Sequence, residues 1–236
     1  IQSGISKIYQ RREENVVEYI EGIINEVGDF DDSFKRFRIL TRSVFIHGNR
    51  SKVEFDYYGQ RVQTELGDLI FILSVVFKGQ KYLERYTISQ FKKDKKRNSR
   101  QWWWDLSNRK QLYLLSRFPK FCGVSGIIPR REFNLLNRTG GLGSYNFLFS
   151  PGDFAFISAE RLETLIGKRK SISMNKLFSL IDSINYPPCM YHVLCQRVAS
   201  QTILPICFIL YRALVFCVLH TASNIHDFIH NLCCYK

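Results

Sequence analysis

Nine consecutive residues, L-I-F-I-L-S-V-V-F at positions 69–77, are apolar everywhere except Ser74. Successive side chains of a strand point to opposite faces. A run of this kind therefore fills both faces and needs cover on both sides, which reads as a central strand between two layers. K-G-Q-K at 78–81 supplies a tight turn, and residues 82–92 supply a second strand ending in T-I-S-Q-F-K. On that strand Ile88, Gln90 and Lys92 share one face, and Ser89 and Phe91 share the other. The expectation is an α/β fold with a mixed, mostly antiparallel central sheet flanked by helices, its active face at the hairpin of residues 65–92.

The rest of the chain fits around this hairpin. Residues 10–27 place Val16, Val17, Ile20, Ile23, Ile24 and Val27 at helical spacing, with Glu13, Glu14, Glu18 and Glu21 interleaved. Gly28 is a helix stop. A strand is expected at 42–47, then a loop at Gly48 and Asn49. A short helix is expected at 108–118, loops through the Gly-, Asn- and Ser-rich stretch 123–152, a strand at 153–158, a helical turn at 161–166 and a helix at 173–184 capped by Ser173. After Pro187-Pro188 the composition changes. Residues 189–236 hold only four charged side chains, Arg197, Arg212, Asp227 and Lys236. The expected organisation is one domain over 1–186 and an apolar, Cys-rich segment over 187–236. Residues 203–219 are nearly all apolar but interrupted by Pro205 and Arg212, and shorter than the ~20 apolar residues of a spanning helix. A buried or partner-facing helix is the first reading of this segment, with a membrane segment and a tail that does not belong to the native fold as the alternatives.

The chemistry lies where E-L-G-D at 65–68 meets Q-F-K at 90–92. If the two strands pair as a hairpin, Asp68 lies beside Gln90 and Lys92. Hydrolysis of a phosphodiester needs a hard cation to offset phosphate charge and activate water. Mg²⁺ takes carboxylate and amide oxygens while keeping several waters. Glu65 and Asp68 offer carboxylates, Gln90 a neutral oxygen, and Lys92 an ammonium for the developing phosphorane charge.

This arrangement resembles the PD-(D/E)XK nuclease superfamily over residues 54–93, in the variant where Gln replaces the acidic member of the last motif, as in Mrr-type restriction endonucleases and the TnsA transposition endonuclease. The resemblance implies a restriction-endonuclease-like fold and a metal-dependent DNA endonuclease of restriction, defence or mobile-element type. It implies Asp68 as central metal ligand, Gln90 as ligand on the next strand and Lys92 as catalytic lysine. Glu65 is a looser match, and Glu54 is an alternative second carboxylate. The cofactor implied is Mg²⁺ or Mn²⁺. A glutamate of the first helix often reaches the metal in such folds, which makes Glu18 and Glu21 candidates.

Charge points the same way. The formal net charge is +13, and residues 90–131 carry twelve Lys or Arg against two acids, Asp94 and Asp105. Such clustering suits a polyanion and gives salt-dependent DNA affinity. Lys93, Lys95, Lys96, Arg97 and Arg100 are the expected phosphate contacts. Trp102, Trp103 and Trp104 either stack on unpaired bases or anchor the segment to the core. His47, in F-I-H-G-N-R, reads as a bystander.

Six of the seven cysteines lie between Cys189 and Cys234, with Cys122 alone in the main body. The odd count argues against a disulfide framework and for a cytoplasmic setting, and no signal peptide is visible at the start. The Cys189, His192 and Cys195 spacing lacks the second pair a structural zinc site needs. Gly140, Gly141 and Gly143 form an isolated cluster, so no nucleotide cofactor is expected. A homodimer is compatible with the sequence. Two other functions fit the same residues: a non-catalytic DNA-binding module on this fold, and a basic membrane-associated or interaction protein built around residues 203–219.

Overall fold

A computed structural model describes residues 7–9, 11–27, 29–31, 37–98, 101–135, 142–149 and 153–182. In chain order the elements are α1 (Glu13–Val27), β1 (Asp29–Asp31), β2 (Phe37–Phe45), a 3₁₀ turn (Gly48–Ser51), β3 (Lys52–Tyr57), β4 (Gln60–Glu65), β5 (Leu69–Phe77) and β6 (Gln80–Lys93). There follow β7 (Lys95–Asn98), β8 (Gln101–Asp105), α2 (Arg109–Arg117), β9 (Phe121–Gly123), β10 (Glu132–Phe133), β11 (Gly143–Phe149), β12 (Asp153–Ser158), α3 (Ala159–Ile166), β13 (Ser171–Ser173) and α4 (Met174–Asp182).

The main sheet has six strands in the order β1-β2-β5-β6-β11-β12. It is mixed: β11 runs parallel to β6, and every other neighbour is antiparallel. β5 is central, as its composition requires. Leu69, Phe71 and Leu73 pack on the α1 side, Leu69 against Val16 and Val17, and Phe71 and Leu73 against Ile24. Ile70 and Ile72 enter the larger core on the opposite side with Leu112, Leu115, Phe147, Leu162 and Trp104. All five strand residues are buried, each contributing on the order of 1.5–3 kcal/mol of apolar burial.

α1 also finishes the sheet edge. β1 pairs only with residues 38–40 of β2. Beyond it Asn25 accepts from the Ser43 N–H at 2.8 Å and donates to the Ser43 carbonyl at 3.1 Å, and Glu21 accepts from the Phe45 N–H at 3.2 Å. These side chains satisfy backbone groups that an unprotected edge would leave open.

A parallel neighbour for β6 needs a crossover, and the chain between Lys93 and Gly143 provides it, with α2 in its middle. The closest approach is at Gly143, where a Cβ would lie 2.0 Å from the Leu115 carbonyl oxygen. Only glycine lets α2 sit this close to β11. β11 corrects the expectation of loops through 123–152. It is buried along its whole length, with Tyr145, Phe147 and Phe149 in the larger core and Leu148 beneath α1. Its Ser144 is satisfied: Oγ lies 2.7 Å from Ser89 Oγ.

Two smaller sheets complete the fold, β10-β9-β3-β4 and β13-β8-β7. The hairpin β3–β4 lies between β2 and β5 in sequence, where only a loop was read. Of the three tryptophans, Trp104 is a core residue with no exposed surface, donating from Nε1 to the Leu148 carbonyl at 2.9 Å, while Trp102 and Trp103 are partly exposed. The helices expected near 108–118, 161–166 and 173–184 form as α2, α3 and α4, and Ser173 Oγ accepts from the Lys176 N–H at 3.4 Å. Among the described residues no helix is long and apolar enough to cross a membrane. The apolar Cys-rich segment 187–236, with its cysteines, histidines and residues 203–219, lies outside the described residues.

Candidate metal centre

The site forms where β5 begins and where β2 and β6 end. Gly67 makes the approach possible. A Cβ there would meet Ile88 Cγ2 at 2.9 Å and the Ser89 carbonyl at 3.1 Å. The next residue, Asp68, is held on both sides by its backbone: its N–H donates to the Ser89 carbonyl and its own carbonyl accepts from the Ile46 N–H, both at 2.9 Å.

Since Leu69 pairs with Ser89, Asp68 stands opposite Gln90, one step beyond the last ladder pair. Side-chain alternation puts Asp68, Ile70, Gln90 and Lys92 on the same face. The hairpin pairing expected from the sequence is therefore present. Asp68 is fully buried, and its carboxylate makes three contacts that leave one acceptor position on Oδ1. Oδ2 accepts from the Phe91 N–H at 2.7 Å and from the Gln90 amide; Oδ1 lies 2.7 Å from His47 Nδ1.

His47 is the residue sequence reasoning set aside. It follows β2 by two positions, and its ring stacks on Phe45 with centroids 5.8 Å apart. Nδ1 faces Asp68 and Nε2 faces Glu14 Oε1 at 3.3 Å. The hydrogen bond to Asp68 raises its pKa, against the opposing effect of burial, and the charges of Asp68, Glu65 and Glu14 raise it further, up to about 9. At neutral pH an imidazolium thus sits between carboxylates.

Glu65, the last residue of β4, closes the group. Single ligand atoms of His47, Glu65 and Asp68 all lie within 4.8 Å of one another. One imidazole nitrogen and two carboxylates are a donor set that fits a divalent cation. The carboxylates also already hold a positive charge at this spot, on His47.

The first helix does reach the site, through Glu13 and Glu14 rather than Glu18 or Glu21. Burial raises the Glu13 pKa against the attraction of Lys92 and the hydrogen bond from the Lys93 N–H, and the Asp68 charge adds to the rise. Glu13 thus lies within electrostatic reach of both Lys92 and Asp68. Glu21 instead binds the β2 edge, and Glu18 lines a surface cleft on the outer side of α1 with Asn15 and Tyr19.

Two other expectations are corrected by geometry. Glu54 is an ordinary surface residue of β3, paired with Arg61 at 2.9 Å and accepting from Gln63 at 3.2 Å, and it is no part of the His47, Glu65 and Asp68 group. Gln90 turns its NH₂ toward Asp68 and toward the Phe91 carbonyl at 3.0 Å. Its oxygen, the atom expected to act as a ligand, accepts from Gln111 Nε2. Gln111 is buried on α2 and reaches the Glu65 carbonyl at 3.3 Å. Tyr145, opposite Gln90 in the β6–β11 register, is fully buried. Burial first, and the Asp68 charge second, raise its hydroxyl pKa, so it stays a neutral polar group.

Lys92 is partly exposed at the strand end. Lys93 is engaged within the chain: its ammonium donates to the Arg11 carbonyl at 2.6 Å and lies 4.8 Å from the Tyr9 ring centre. Burial lowers its pKa. The backbone of Lys95, Lys96 and Arg97 forms β7, while their side chains, and all of Arg100, lie outside the described residues.

Comparison with known proteins adds no relative: no family model, no curated protein and no solved structure matches this chain.

Proposed function

We propose that this protein is a divalent-metal-dependent DNA endonuclease with a restriction-endonuclease-like core of the Q-x-K type. One observation carries the reading. Asp68 opens β5 directly across from Gln90, with Lys92 two residues on along the same face, and glutamates of α1 converge on the same strand ends. Such convergence of glutamates, an imidazole and a lysine on one buried carboxylate, Asp68, is a pattern of functional sites.

A bound divalent cation would supply charge neutralisation at the scissile phosphate and an activated water. Asp68, Glu65 and His47 are the residues that would hold it. Lys92 would place its ammonium where negative charge grows on the phosphate, and Glu13 would keep that ammonium oriented. The basic stretch from Lys92 to Arg131 would bind the DNA backbone without reading sequence.

One feature favours a second reading, a DNA-binding protein that no longer cuts. The Gln90 oxygen is committed to Gln111, and the His47 imidazolium occupies the space between the carboxylates. A plasmid-nicking assay with Mg²⁺ and with Mn²⁺ separates the two. The nuclease reading expects metal-dependent nicking by the parent chain and a loss of about 10²-fold or more in Lys92→Ala, with unchanged folding and near-parental DNA affinity. A parent that binds DNA and never nicks with either metal supports the second reading. Equal nicking by parent and Lys92→Ala rules out the role assigned to Lys92.

A further inference from the structure

Resting on the metal-centre reading above, we infer that the site selects Mn²⁺ over Mg²⁺, with His47 Nδ1 as a direct nitrogen ligand and Glu14 as the outer carboxylate that orients it.

Mg²⁺ is a hard ion that needs near-ideal octahedral oxygen coordination. This site offers it two carboxylates. The neutral oxygen that would complete such a set, on Gln90, is held by Gln111. The further donor within reach of Asp68 and Glu65 is an imidazole nitrogen, which ligates once a cation displaces its proton. A nitrogen donor adds affinity for a first-row transition ion, least for Mn²⁺ among them, and adds still less for the hard Mg²⁺, which holds to oxygen ligands.

The surroundings of His47 match those of a ligating histidine. Such a residue nearly always donates its other ring N–H to a carboxylate, which sets the tautomer and ring direction. Here Nε2 faces Glu14 Oε1 at 3.3 Å while Nδ1 faces the site. Phe45 holds the ring from the side. A histidine whose only task was to pair with Asp68 would need neither Glu14 beyond it nor Glu65 beside it.

The test uses the full chain with MnCl₂ and MgCl₂ as probes, at a single pH so that proton competition is common to both. Bound Mn²⁺ is followed by electron paramagnetic resonance, its ligands by electron spin-echo modulation, and Mg²⁺ by displacement of Mn²⁺. The expected result is Mn²⁺ binding at least about tenfold tighter than Mg²⁺, with nitrogen modulation from a directly bound imidazole. His47→Gln should remove that modulation and weaken Mn²⁺ at least about tenfold, with a smaller effect on Mg²⁺. Glu14→Gln, an isosteric change at a side chain 44% exposed, should keep the fold and the modulation and weaken Mn²⁺ binding. Equal affinities, or bound Mn²⁺ without nitrogen modulation, overturn the inference while leaving a metal centre in place. Binding of neither ion removes the metal-centre reading along with the inference.

Discussion

Replacing Asp68 with Asn tests whether its charge organises the site. The amide is nearly the same size, so no cavity opens. Its oxygen can take the place of Oδ2 and keep the bonds from Phe91 N–H and the Gln90 amide. Its NH₂ then faces His47 Nδ1, which can accept only if the ring is neutral. The substitution therefore converts an ion pair into a neutral hydrogen bond and leaves the packing intact. The difference between the ordinary His value of 6.5 and the value of about 9 reached here corresponds to on the order of 3 kcal/mol. Solvent screening of a side chain that is 25% exposed lowers the expected figure to about 2 kcal/mol. The sign follows from linkage. A pKa raised on folding stabilises fully below the unfolded value and ceases to do so as pH climbs through the folded one. The metal-free parent should lose this stabilisation between about pH 6.5 and 9, and Asp68→Asn should lack it throughout. Urea unfolding at pH 6 should separate the two by about 2 kcal/mol, narrowing to well under 1 kcal/mol near pH 10. Titration of the His47 ring by NMR should show its pKa falling toward 6.5 in the mutant. A stability gap independent of pH, or a His47 pKa that does not move, would refute the ion-pair account.

Further outcomes follow from the same geometry. Glu13→Gln should stabilise the metal-free protein at neutral pH by up to about 1 kcal/mol. Burial disfavours the charged form of Glu13, and an amide oxygen can still accept from the Lys93 N–H. The gain should vanish in thermal melts below about pH 4.5, where the unfolded carboxyl is also protonated. Trp104→Ala removes a fully buried ring and the bond to Leu148, and should cost about 3–5 kcal/mol in denaturant unfolding. DNA affinity should fall steeply with salt. Replacing Lys95, Lys96 and Arg97 with Ser should reduce the log–log salt slope by about 2–3 if those side chains meet phosphates. A slope unchanged by the triple substitution would place the contacts elsewhere.

The sequence by itself determined what is local. The two-sided apolar run specified β5 as a covered central strand, because strand alternation leaves no other use for such a pattern. The short turn at 78–81 made β5 and β6 antiparallel neighbours, and a bulge at Tyr82, where the register shifts by one, then set Asp68 across from Gln90 with Lys92 two residues on. The tertiary structure decided everything that depends on which distant segments meet. His47 carries no motif, and its role exists only because the end of β2 meets the Gly67–Asp68 crossing. Glu13 and Glu14 were chosen over Glu18 and Glu21 by position along α1: Glu14, Glu18 and Glu21 share one helix face, and only the first turn of α1 lies at the strand ends that form the site. Glu54 looked equivalent to Glu65 in sequence. It left the site because it lies two residues further out along the β3–β4 hairpin, opposite Gln63, where its carboxylate meets Arg61, while Glu65 sits at the hairpin's base beside Asp68. β11 was hidden by flanking Gly, Ser and Asn, and became a central strand because α2 could cross at Gly143. Gln111, 21 residues beyond Gln90, holds the amide oxygen that the sequence had assigned to a metal. Long-range packing sets such contacts, and no spacing rule encodes them.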